Sequence, residues 1–207
     1  KDIEFFSNSI RILILVLMMA SVLAFSQQNA FDVWVPGDES VVVPPSGQAG
    51  SRLPADIPTN PVLYDNGPLV THPGGGSGGA DASVVQTALS MSTYGFGHQV
   101  YYNYWVADDF TVPEGGWDIE GFAFFAYQTN SGTTSTLTAV HLVILDGPPD
   151  DVNSNIVFGD QTTNRMTSSD FTNIYRVLDY GMGDNYRPIM LNACMFDLQL
   201  EAGTYWV

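Results

Sequence analysis

The sequence predicts an all-β protein, an antiparallel β-sandwich of the jelly-roll kind, and three observations carry that expectation. From about residue 83 onward, short runs rich in Val, Ile, Thr, Phe, Tyr and Trp are separated by clusters of Gly, Pro, Asn and Asp, the punctuation of successive strands and turns. The chain lacks the repeated strand–helix alternation that a parallel α/β sheet requires. Near the C-terminus, Cys194, Phe196, Leu198 and Leu200 alternate with Met195, Asp197, Gln199 and Glu201, which gives one apolar face and one mostly polar face, the period of a half-buried strand.

Taken in order, residues 1–26 read as a signal peptide. Arg11 precedes the apolar run of residues 12–25, in which Ser21 is the one polar residue, and Ala24-Phe25-Ser26 sets small residues where a signal peptidase reads, just before Gln27. That run of 14 residues is shorter than the roughly 20 that span a bilayer. A secreted or cell-surface protein with no mature transmembrane segment is therefore expected. Residues 27–61 read as a Pro-rich linker: eight of the 12 prolines fall within residues 32–73, and proline removes a backbone donor and fixes φ, so neither helix nor central strand is expected there. Residues 62–207 form the expected β-sandwich domain. Val62-Leu63-Tyr64 can open it as an edge strand before the run Gly74-Gly75-Gly76-Ser77-Gly78-Gly79. Residues 81–91 fit a helical stripe and a strand equally well. Strands are expected at 99–106, 109–112, 117–127, 136–146, 156–158, 172–178, 188–191, 193–201 and from 204 onward. Lys1 in place of methionine, and Thr204-Tyr205-Trp206-Val207 resembling the middle of a strand, lead us to expect a piece of a longer protein, truncated at its C-terminus.

Composition narrows the function classes. The chain carries 22 acidic against 6 basic residues, a net charge of -16. Beyond residue 26 the only basic side chains besides histidine are Arg52, Arg165, Arg176 and Arg187. Such a surface repels nucleic acid and anionic membranes. Acidity of this kind supports solubility, and the predominance of aspartate also suits loop coordination of calcium. Cys194 is the only cysteine among residues 1–207, so no disulfide can form within them and an ordinary core is expected to hold the domain together. Its place in the alternating strand marks it as a buried core thiol.

The segments Leu63-Tyr64-Asp65-Asn66-Gly67-Pro68, Val106-Ala107-Asp108-Asp109-Phe110-Thr111-Val112-Pro113 with Gly116-Trp117, and Leu200-Glu201-Ala202-Gly203-Thr204-Tyr205-Trp206 resemble those of β-sandwich domains in large exported bacterial proteins of the Bacteroidetes type. The resemblance covers residues 62–207. It implies export and a sandwich fold, and it carries over no catalytic residue and no assigned function.

Several motifs bear on chemistry. Gly75-x-Ser77-x-Gly79 matches the spacing of a hydrolase nucleophile elbow, but the match arises inside a glycine run and lacks the strand–turn–helix context, so no catalytic residue is assigned. His141 falls on one face with Leu137, Ala139, Val143 and Leu145 and reads as a hydrogen-bonded core residue, and no two of the three histidines show zinc spacing. Asp118 and Glu120, with Asp108-Asp109 a turn earlier, are the raw material for a glycosidase acid and base, which must face each other across roughly 5–10 Å. Tyr101, Tyr102, Tyr104 and Trp105 would occupy both faces of the strand at 99–106, so some of these rings are expected to be exposed as a flat platform for sugars or a surface protein. Asp150, Asp151, Asn153 and Asn155 form part of a calcium loop, without the glycine and distal glutamate of an EF-hand. The expected function is a non-catalytic exported module that binds an extracellular polysaccharide or surface protein, or serves as a structural unit of a larger secreted protein; the alternative is a secreted, glycosidase-like hydrolase or an accessory domain of one.

Overall fold

The structure, a computed structural model, describes residues 62–207 together with the backbone of residues 31–34. The expected signal peptide, the remainder of the proline-rich linker and Arg52 lie outside the described residues. Among those described, ten strands run in the order β1 (Phe31–Trp34), β2 (Val62–Asp65), β3 (Asp81–Val85), β4 (Asp109–Val112), β5 (Trp117–Tyr127), β6 (Val143–Leu145), β7 (Ile156–Gly159), β8 (Ser168–Leu178), β9 (Pro188–Leu200) and β10 (Gly203–Trp206). They form a six-stranded sheet, β2-β1-β5-β9-β8-β3, and a four-stranded sheet, β4-β10-β6-β7. All pairings are antiparallel except β3 beside β8. The protein is thus an all-β sandwich, as its strand punctuation predicts. The only helical pieces among the described residues are the 3-10 turns Ser77–Gly79, Thr87–Leu89 and Val100–Tyr102, and no helix there is long and apolar enough to cross a membrane.

Two-residue alternation explains the core. In β4, Phe110 and Val112 point inward while Asp109 and Thr111 face solvent. Phe110, Val112, Ile119, Phe122, Leu142, Ile144, Cys194 and Leu200 form one buried cluster drawn from both sheets. Phe110 is its centre: its ring stacks on Trp117 and Tyr205 at 6.2 and 5.9 Å and meets Phe122 edge-on at 5.9 Å. Burying a phenylalanine side chain this fully contributes about 2 kcal/mol. Residues of opposite parity, Ala123, Leu191 and Ala193, form a second cluster with Phe125 on the other face of the six-stranded sheet.

The inward set of β5 changes parity partway, from Trp117 and Ile119 to Phe122 and Phe124, where the register against β9 slips between Ile119 and Gly121. Glycine is required at that slip. A Cβ on Gly121 would overlap the carbonyl oxygen of Cys194, and its φ of +157° is one that L side chains rarely adopt. The expected strands at 188–191 and 193–201 are one continuous strand. Asn192, read as a break, is buried and paired: Nδ2 donates to the carbonyls of Phe124 at 3.0 Å and Met190 at 3.3 Å, and Oδ1 accepts from the Ser169 hydroxyl at 2.7 Å.

Three expectations need correction. Residues 31–34, inside the stretch read as linker, form β1, with Val33 opposite Tyr64 on one side and Phe122 on the other. The β-prone run Phe31-Asp32-Val33-Trp34 ends before Pro36, so no proline interrupts its ladder. Of residues 136–146 only Val143–Leu145 is strand. Upstream, side-chain bonds replace a ladder: Val140 N–H donates to Asn164 Oδ1, and Asn164 Nδ2 donates to the Thr138 carbonyl. The deeply buried residues are consequently Leu142 and Ile144, and His141 is half-buried with no hydrogen-bond partner at Nδ1. The ambiguous segment 81–91 resolves into β3 followed by the turn Thr87–Leu89.

Candidate functional site

The aromatic run at 99–106 is not a strand. The Gln99 carbonyl accepts from the Tyr102 and Tyr104 N–H groups, Asn103 N–H donates to the Val100 carbonyl, and Asn103 takes a left-handed φ of 53°. Asn is among the few non-glycine residues that tolerate that conformation, and no neighbouring strand competes for these backbone groups. A 3-10 turn fans side chains out instead of alternating them, and Tyr101, Tyr102 and Tyr104 come together by this other route. Tyr101 and Tyr102 are 88% and 60% exposed, and Tyr104 and Trp105 are exposed as well. Tyr102 stacks on Tyr104 at 5.5 Å and 26°, Tyr101 meets Tyr102 edge-on at 4.9 Å, and Trp105 Nε1 donates to Asn103 Oδ1 at 3.2 Å. Ring–ring contacts of this kind restrict the side chains before any ligand arrives.

The segment carrying these rings is tied to the sheet at two points. Thr87 donates to the Asp179 carboxylate through its N–H at 3.1 Å and its hydroxyl at 2.8 Å, and the Tyr127 hydroxyl donates to the Thr93 carbonyl at 2.5 Å. Burial pushes the Tyr127 phenol up, which keeps it a protonated donor, with Arg176 and Arg187 partly opposing the shift. Tyr94, 94% exposed, and Leu89 extend the apolar surface of the segment. Tyr94 belongs to no periodic run, and Leu89 enters the sequence reading only as part of the ambiguous segment 81–91.

A second feature is an open groove of about 330 Å³ lined by Asp118, Ile119 and Glu120 of β5 and Asp197, Leu198 and Gln199 of β9. The β5–β9 register sets Asp118 opposite Gln199, so strand pairing brings the Asp197 carboxylate to the two expected ones. Asp108 and Asp109 serve elsewhere: Asp108 accepts from Asn66 Nδ2 at 2.8 Å and from the Asp109 N–H at 3.0 Å at the start of β4. The polar face of residues 195–201 was the sequence signal for Asp197.

The candidate calcium loop is held by its own side chains. Asp151 Oδ1 accepts from the N–H and Nδ2 of Asn153 at 2.9 and 2.8 Å, and the Asp146 carboxylate accepts from the N–H and Nδ2 of Asn155 at 2.6 and 3.1 Å. Those bonds hold the Asp146 carboxyl below the usual carboxylate range. Among the described residues no group of three His, Cys, Asp or Glu side chains is placed to hold a metal ion, so an ion here would draw on Asp150, Asp151, the amide oxygens of Asn153 and Asn155 and backbone carbonyls. Ser77 sits in the 3-10 turn Ser77–Gly79 between loops, unlike a nucleophile elbow. Cys194 is fully buried, and burial pushes its thiol up to about 12. No protein-family model, curated protein or solved structure matches the chain.

Proposed function

We propose that this protein is a secreted or cell-surface β-sandwich module that binds an extracellular polysaccharide through Tyr101, Tyr102, Tyr104 and Trp105, without catalysis. The observation that carries this reading is the exposed, mutually contacting set of Tyr101, Tyr102 and Tyr104 on a hydrogen-bonded turn, with exposed Trp105 next in sequence: aromatic faces offer the C–H side of a sugar a rigid apolar surface, and the phenol edges offer donors to its hydroxyls. A surface protein is the other occupant such a patch can take. Binding of the purified protein to a panel of polysaccharides tests the choice. Retention on at least one is expected, and Tyr102→Ala and Tyr104→Ala should each weaken it by about 1–3 kcal/mol, by analogy with base–aromatic stacking. Both side chains are exposed, so the circular dichroism spectrum should not change. Retention by nothing in the panel, or unaltered retention by the double variant, rejects the reading. The hydrolase alternative rests on the three carboxylates of the β5–β9 groove. Release of reducing sugar that disappears in Asp118→Asn or Glu120→Gln would favour it.

A further inference from the structure

In the described residues the basic side chains other than histidine are Arg165, Arg176 and Arg187, and among those residues the only ion pair is Arg165 with Asp160. The other two arginines lie side by side. The Arg176 N–H donates to the Arg187 carbonyl at 3.0 Å, which fixes β8 against the residue that leads into β9. Arg187 is only 9% exposed, yet its Nε and Nη1 have no hydrogen-bond partner, and neither does Nε of the half-buried Arg176. The carboxylates that flank the pair in sequence bond elsewhere, Asp179 to Thr87 and Asp184 to the Tyr186 hydroxyl at 2.8 Å. The Arg187 guanidinium lies over the Tyr186 ring at 4.3 Å. That contact occupies its face and leaves its in-plane N–H groups for an acceptor.

Guanidinium donors removed from water without acceptors are costly, and the cross-strand pairing of Arg176 with Arg187 brings two such groups to one face of the sheet. One oxyanion relieves both, because its oxygens accept several charge-assisted hydrogen bonds while its charge offsets two positive ones. We propose that Arg176 and Arg187 form an oxyanion site that takes a carboxylate or sulfate group of an acidic polysaccharide, a proposal that rests on the polysaccharide reading above and specifies its substrate class. Tyr127, whose phenol is electrostatically coupled to both arginines and whose hydroxyl holds the Thr93 carbonyl, links this site to the segment that carries the aromatic rings. The net charge of -16 repels anions at long range, so saturable oxyanion binding requires a local cationic site such as this pair.

The test is isothermal titration of the purified full chain with sodium sulfate and with sodium glucuronate, each against sodium chloride at matched ionic strength. Saturable heat with at least one of the two oxyanions and none with chloride is expected. Sulfate alone identifies sulfate esters and glucuronate alone identifies uronic acids as the recognised group. Arg176→Gln should weaken the response about tenfold or more, the scale of one lost charge-assisted contact. Arg187→Gln should do the same, and because Arg187 is the more buried, the Arg176 variant decides if the other fails to fold. Absence of saturable binding by the wild type, or full binding by a folded Arg176→Gln, overturns the proposal. Tyr102→Ala/Tyr104→Ala should keep the small-anion response while losing polysaccharide retention. A sulfate or glucuronate response in a protein that retains no polysaccharide keeps the anion site and rejects the polysaccharide reading, so the two failures are distinguishable.

Discussion

Replacing Asn192 tests how a polar side chain is accommodated in the middle of the longest strand. Its side chain joins three strands, donating to the Phe124 carbonyl of β5, accepting from the Ser169 hydroxyl of β8 and donating within β9 to Met190. Each such bond contributes about 1 kcal/mol net, so Asn192→Ala should cost about 3 kcal/mol before any cavity is counted. A domain of this size has a total stability of about 5–15 kcal/mol, and the loss corresponds to about 6–12 °C in melting temperature. Ser169→Ala alone should cost less, since it removes one bond to Asn192 and one to Ser135. Urea unfolding of both single variants and the double variant closes a double-mutant cycle, and an interaction energy of about 0.5–1.5 kcal/mol is expected with an unchanged m-value. Strict additivity of the two substitutions, or an Asn192→Leu protein as stable as wild type, would refute the view that Asn192 stabilises the sheet through these bonds.

Cys194 should resist iodoacetamide at pH 8 in the folded protein and react in concentrated urea, because burial holds its thiol near 12; native labelling faster than global unfolding contradicts that. Asp160 accepts from the Thr162 hydroxyl and N–H at 2.7 and 2.8 Å and from the Thr163 N–H at 2.7 Å, which holds its carboxyl well below the usual range. A carboxyl with a lowered folded-state pKa stabilises the fold above its unfolded value of about 4 and loses that contribution as pH falls further. Asp160→Asn should therefore flatten the acid limb of a stability-versus-pH curve below pH 4 and leave it unchanged in shape above pH 6. Calcium bound at Asp150, Asp151, Asn153 and Asn155 should raise the melting temperature in millimolar calcium over that in chelator by mass action, and Asp151→Ala should abolish the difference; coincident curves for the wild type would discard that site.

Strand β5 is legible in the sequence to its end residues, because Gly115-Gly116 and Gln128 bracket a run dominated by aromatic and aliphatic residues. The aromatic run at 99–106 is equally β-prone but has no partner strand, and there the local turn at Asn103 prevails. Strand propensity measures how well a side chain fits a pleated surface, so without that surface it specifies little. The exposure of candidate rings follows from the composition of the run, but the contacts among Tyr101, Tyr102 and Tyr104 follow only from the turn. Asp197 and the Arg176–Arg187 pair depend on register, a long-range property that periodicity within one segment cannot contain. Strand β1 escapes notice for a different reason: four residues are too few to show a period beside a proline-dense window.

The position of β9 between β5 and β8 also governs the order in which this chain can fold. Ala123 of β5 and its partner Ala193 of β9 are about seventy residues apart in sequence, and the parallel partners of β3 in β8 are separated by more than ninety. Closing such loops costs entropy before any contact compensates, and domains dominated by distant pairings fold in milliseconds to seconds. Until Pro188–Leu200 has left the ribosome, β5 and β8 share no partner and the six-stranded sheet exists only as separate pieces. Between the synthesis of β5 and that of β9 the nascent chain therefore carries Phe122, Phe124 and Phe125 without the strand that β5 pairs with most extensively, so chaperone dependence during production should track the availability of β9 more closely than the length of chain made.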